Sequence, residues 1–221
     1  MTMLVGAGVL LNELSLDLAY ANSDARAASV DKSVVAANTE FAIKLLKELQ
    51  GEQGGRNVFI SPLSVSIALA MTYNGANSST REAMASVLGF DGMSDDAVNV
   101  GYRQLIESLL SVDVDVSLNI GDSVWIRSTF APAVNAEFTD ALSNYYRSDI
   151  YSRAFDASTV DEVNSWVSEE TNGKIDRILD SIDSNNVMFL INAIYFKGGW
   201  VDEFDAALTQ KADFTLSLIH I

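Results

Sequence analysis

The chain holds no cysteine, and its one histidine is His220, the last residue but one. The first absence excludes disulfides, thiol catalysis and thiolate metal sites. The second removes multi-histidine metal centres and leaves a Ser-His-Asp triad without a well-placed base. No GxSxG elbow and no Gly-rich phosphate loop occurs, so neither catalysis nor a cofactor or metal is expected. Proline is down to two residues against 48% hydrophobic content, which points to a globular core rather than disorder. Positive charge is scarce: 14 Lys and Arg stand against 30 Asp and Glu, a formal net charge of -16. Such a surface repels phosphates and anionic membranes, so no nucleic acid and no membrane partner is expected. A solvated surface accounts for the acid, and a high-salt habitat is the sharper reading of it.

Long apolar runs are missing too. Met3 to Leu11, MLVGAGVLL, is too short to span a bilayer, and no later segment is longer. Ala19-Tyr20-Ala21 fits a small-x-small cleavage site, but no Lys or Arg precedes the apolar run, and Glu13 and Asp17 interrupt the path from the run to that site. Residues 1–33 are therefore read as a leader or a disordered N-terminal segment, with an extracellular location expected and a cytoplasmic one as the alternative.

What is present is regular patterning. Ala37, Phe41, Leu45 and Leu49 recur at helical spacing between Ala36 and Leu49. NVFI, Asn57 to Ile60, reads as a short buried strand. Ser61-Pro62 opens a second helix, Ser as N-cap and Pro in the first turn. That helix is apolar or small almost all round and must be buried on most sides; Asn74-Gly75 ends it. Ser79 and Glu82 form a capping box for a third helix closed by Gly89. The Asn77-Ser78-Ser79 sequon at the same place is read as a helix cap rather than a glycosylation site. A fourth helix runs from about Asp96 to Leu110. Val112 to Ile120 alternates apolar and polar with period two, a strand with one wet face, continuing through Ile126. Asp113 and Asp115 on that face read as solvated acids, not a cation site. Pro132 begins a further helix, Ile150 to Phe155 is a short strand, and Thr159-x-x-Glu162 caps the helix that Asn172-Gly173 ends. The last strong element, VMFLINAIYFKGGW from Val187, carries one amide, Asn192, in an apolar run. The order of elements predicts an α+β fold with no internal repeat.

Three stretches resemble the serpin family. NVFISPLSVSIALAMTYNGANSSTREAM (57–84) carries Ser61-Pro62, Ser64, Gly75-Ala76 and Thr80. VNSWVSEETNGKI (163–175) carries Asn164, Trp166, Thr171, Gly173 and Lys174. LINAIYFKGGWVDEFDAALTQKADF (190–214) carries Asn192-Ala193, Phe196-Lys197-Gly198, Trp200, Phe204 and Thr209. The resemblance covers about Val34 to Phe214. It implies a large central sheet with surrounding helices, incomplete at the C-terminus: 34–216 as the N-terminal part of one domain, and 217–221 as a tail that extends no strand pattern.

The resemblance further implies a shutter of Ser61, Ser64 and Asn192 behind the point where the main sheet parts, and a breach at Trp200. Pro62, Asn164, Trp166, Thr171, Gly173, Lys174, Phe196, Lys197, Gly198 and Phe204 are implied to be structural. Read from the residues alone, Ser61 is an N-cap, Asn192 a satisfied core amide and Trp200 a core anchor. The implied function is inhibition of a serine or cysteine protease by reactive-loop insertion, with the loop itself absent from these residues; a non-inhibitory carrier or chaperone is the alternative. The fourth helix holds Arg103 and little other positive charge, so no glycosaminoglycan binding is expected.

Overall fold

The structure is a computed structural model and describes residues 30–53, 57–111, 116–200, 203 and 205–211. The apolar run at Met3 to Leu11, Asp113, Asp115, Phe204, His220 and the tail 217–221 lie outside these residues. Six helices are described: α1 (Lys32–Gln53), α2 (Pro62–Gly75), α3 (Ser78–Leu88), α4 (Asp95–Leu109), α5 (Ala136–Tyr146) and α6 (Ala157–Glu170). With them come three strands, β1 (Val116–Arg127), β2 (Asp149–Arg153) and β3 (Met188–Gly198), in the order β2-β1-β3. β1 pairs parallel with β2, which it reaches through α5, and antiparallel with β3.

The sheet separates two cores. Even-numbered residues of β1 and β3, among them Ile120, Val124, Met188 and Leu190, face α2. Odd-numbered ones, Trp125, Phe189, Ile191 and Ala193, face α6. α2 touches α1, α3, α5 and β3. This is why its sequence has no polar stripe: Ile67, Ala70 and Met71 are wholly excluded from water. Each large side chain so buried contributes about 1.5–3 kcal/mol.

Several element boundaries differ from the predicted ones. Residues 57–60 form no strand, and Phe59 is fully exposed; apolar residues make a strand only beside a partner, and among the described residues none flanks them. β1 has no continuous wet face, because α6 covers its odd-numbered side and residues 120–126 are buried on both faces. α3 is capped by Asn77, whose Oδ1 accepts from the Ser78 amide at 2.7 Å, not by Ser79. α6 is capped by Asp156, whose Oδ1 accepts from the Thr159 amide at 3.2 Å, while Thr159 is buried and Glu162 pairs with Arg153. Both caps belong to the residue types that compete best for orphan helix amides, and the earlier one in the chain wins. Pro132 sits in a 3-10 turn, Ala131–Ala133, and α5 starts later on Asn135. The closing signals hold: Gly89 takes φ +75 as the α3 cap, and Asn172 and Gly173 take φ +52 and +68 after α6.

Candidate functional site

At the middle of the sheet the register places Asp122 of β1 beside Asn192 of β3. Both lie on the side that faces α2. Ser61 caps α2, its Oγ accepting from the Ser64 amide at 3.4 Å, and Pro62 occupies the first turn. That start points the Ser64 hydroxyl at the sheet, where it donates to Asn192 Oδ1. Asn192 Nδ2 in turn donates to Asp122 Oδ1 at 2.8 Å. One amide thus ties a helix to two strands, with its acceptor and a donor both used. Ser61, exposed at the helix start, stands outside this chain of bonds.

Asp122 was not among the predicted site residues, yet its signal is in the sequence. Along β1 the residues facing α2 are Leu118, Ile120, Asp122, Val124 and Ile126, a lone carboxyl in an apolar row. Asp122 is 3% exposed, and its Oδ2 has no hydrogen-bond partner among the described residues. Burial pushes its carboxyl up to about 7. The Asn192 bond opposes that shift, and the charge of Glu170 adds to it.

The other predicted residues fall into separate places. Asn164 is buried and holds the chain after α6: its Oδ1 accepts from the amides of Ile178 at 2.8 Å and Leu179 at 3.0 Å, and its Nδ2 donates to the Leu179 carbonyl. Trp166 Nε1 donates to Asp149 Oδ2 at 3.1 Å, joining α6 to β2. Thr171 Oγ1 donates to the Val167 carbonyl and accepts from the Ile175 amide. Gly173 makes the turn, and Lys174 is exposed. Lys197 and Gly198 pair with Ser117 and Val116 at the end of β3. Phe196 and Trp200 are 68% and 78% exposed, so neither is a core anchor among the described residues. Sequence reasoning also missed Arg127, whose guanidinium donates to the carbonyls of Asn186, Ala154 and Asp183 and lies 4.9 Å from the Phe155 ring centre.

No group of three or more His, Cys, Asp or Glu among the described residues could hold a metal ion, and no described helix is long and apolar enough to cross a membrane. The polar chain Ser64–Asn192–Asp122 contains no nucleophile paired with a base. What it does is hold the sheet against α2.

The family model for Serpin (serine protease inhibitor) matches residues 36–218. This chain belongs to the serpins. Human Serpin A12 is 32% identical over 187 residues, 84% of this chain and 45% of that protein. Human corticosteroid-binding globulin is 30% identical over 187 residues, 83% of this chain and 46% of that protein. The thermophilic serpin tengpin in its latent state superposes with a TM-score of 0.71 at 33% identity, covering 81% of this chain and 48% of tengpin. Cleaved kallistatin, solved with heparin, gives 0.74 at 28% identity over 81% of this chain and 53% of its own. The chain spans about half the length of the serpins it matches, and its helices and partial sheet have the serpin arrangement.

Proposed function

We propose that this chain is the N-terminal part of a protease inhibitor that takes its own cleaved loop into the main sheet as a new strand. The observation that carries this reading is the bridge from Ser64 to Asn192. It fastens α2 to β3, the strand whose outer edge is unpaired among the described residues. A strand arriving at that edge pairs with β3 beside its contact with α2, and a small hydroxyl bonded to a single amide is a contact that can be broken and remade if β3 moves. Ser64, Asn192 and Asp122 form the gate in this reading, Ser61 positions Ser64, and exposed Trp200 marks where insertion starts. The targets are serine or cysteine proteases, met outside the cell, and the step is one of conformational relaxation rather than catalysis. The test is incubation of the whole protein with trypsin-like and subtilisin-like proteases. A complex that survives boiling in detergent supports the reading. Cleavage of the loop with the protease released intact overturns it.

A second reading is favoured by corticosteroid-binding globulin among the relatives, that of a small-molecule carrier. An open, mainly apolar pocket of about 430 Å³ lies between Thr72, Phe130, Phe138, Met188 and Leu190, within the size range of ligand sites. Equilibrium dialysis against an apolar hormone distinguishes the two: retention of ligand with no protease complex selects the carrier.

A further inference from the structure

We infer that Asp122 is the proton-carrying member of this gate: its carboxyl holds a proton in the closed gate at mildly acidic pH and releases it to water when the gate opens. The inference rests on the gate reading above. Asn192 spends its donor on Asp122 Oδ1 and its acceptor on Ser64. Asp122 Oδ2 is then left with nothing to accept among the described residues, in a place closed to solvent. A buried carboxylate with one empty oxygen is costly, whereas the neutral acid keeps Oδ1 as the acceptor for Asn192 and removes the charge.

The neighbours do not offset the burial. On α2 the facing group is the Ser64 hydroxyl, and on β3 it is the Asn192 amide. The phenol of Tyr146 on α5, itself buried and shifted upward, feels the Asp122 charge. From the opposite side of the sheet comes Glu170 at the end of α6, an acid that accepts from Asn119 Nδ2 at 2.6 Å. Of the groups acting on Asp122, the Asn192 bond favours its ionisation and the Glu170 charge opposes it, and burial outweighs the Asn192 bond.

Opening the gate to water restores an ordinary carboxyl, which ionises near 4. The sign follows. The closed-state value is raised, so the closed state is favoured fully below about pH 4 and loses that advantage as pH rises to about 7. Opening is expected to become easier by about tenfold per pH unit between about pH 5 and 7, and to level off above.

The experiment uses the whole protein and two readouts. Infrared spectroscopy of the wild type at pH 5.5 is expected to show the carbonyl stretch of a protonated carboxylic acid, lost with a midpoint near 7 and absent from Asp122→Asn. A midpoint near 4, or a band that persists in the variant, overturns the inference; the first outcome needs only the wild type. The second readout is the rate of detergent-stable complex formation from pH 5 to 8, taken as the ratio of wild type to Asp122→Asn so that the protease's own titration cancels. The ratio is expected to rise from pH 5 to about 7 and to level off above. A flat ratio with complex formed overturns the proton role and leaves the inhibitor reading standing. No complex at any pH, with the infrared titration near 7 intact, overturns the inhibitor reading and leaves the neutral Asp122 in place.

Discussion

At the scale of single residues, the structure turns on one amide. Asn192 was legible because a lone polar residue in an apolar run must find partners, and burial without them costs about 1–3 kcal/mol. Its partners were less legible: Ser64 was implied by resemblance alone, and Asp122 required the β1–β3 register. Asn192→Ala is expected to lower stability by about 1–3 kcal/mol in urea unfolding, since it strands the Ser64 hydroxyl and Asp122 Oδ1 together. The double variant Ser64→Ala/Asn192→Ala is expected to lose less than the sum of the two single changes, by at least about 0.5 kcal/mol. Strict additivity would show that the two side chains do not interact. Tryptophan gives an independent check. Trp125 is 1% and Trp166 7% exposed, against 78% for Trp200. Acrylamide is expected to quench one emitter of three, and Trp200→Phe to abolish that quenchable part.

At the scale of elements, periodicity and stop signals were read well and start signals less well. The stops depend on a conformation few residues tolerate, as at Gly89, so they are marked by residue type. The starts are contested by every Ser, Thr, Asn and Asp nearby. Asn77 and Asp156 took the caps that Ser79 and Thr159 could also have supplied. Helix contacts set a further constraint that no local pattern reveals. A Cβ at Gly101 of α4 would come within 2.3 Å of Val34 Cγ2 on α1, a fully buried side chain with little room to yield. Gly101→Ala is therefore expected to destabilise by about 1–3 kcal/mol, despite the better helix propensity of alanine, as read by the thermal midpoint.

At the scale of the whole molecule, charge is the dominant long-range property. The net charge of -16 sets a repulsive field toward sulfated polysaccharides, and Arg103 on α4 is the helix's one basic residue, already 5.5 Å from the Tyr145 ring centre. This chain is expected to pass through a heparin column at low salt; retention would reveal a basic patch that composition hides. The heparin seen with kallistatin belongs to that protein's surface, and a shared fold carries no shared charge pattern.

The sequence by itself determined the α+β order, the buried character of α2, the helix stops, the acidic surface and, through three motifs, the family. These are properties of neighbours along the chain, where spacing and residue type act directly. Only the tertiary structure decided that residues 120–126 of β1 are covered on both faces, that 57–60 stays unpaired among the described residues, and that Asp122 meets Asn192. Each of those depends on which element lies across a gap of tens of residues, and a carboxyl becomes a buried acid only when another part of the chain shuts out the water.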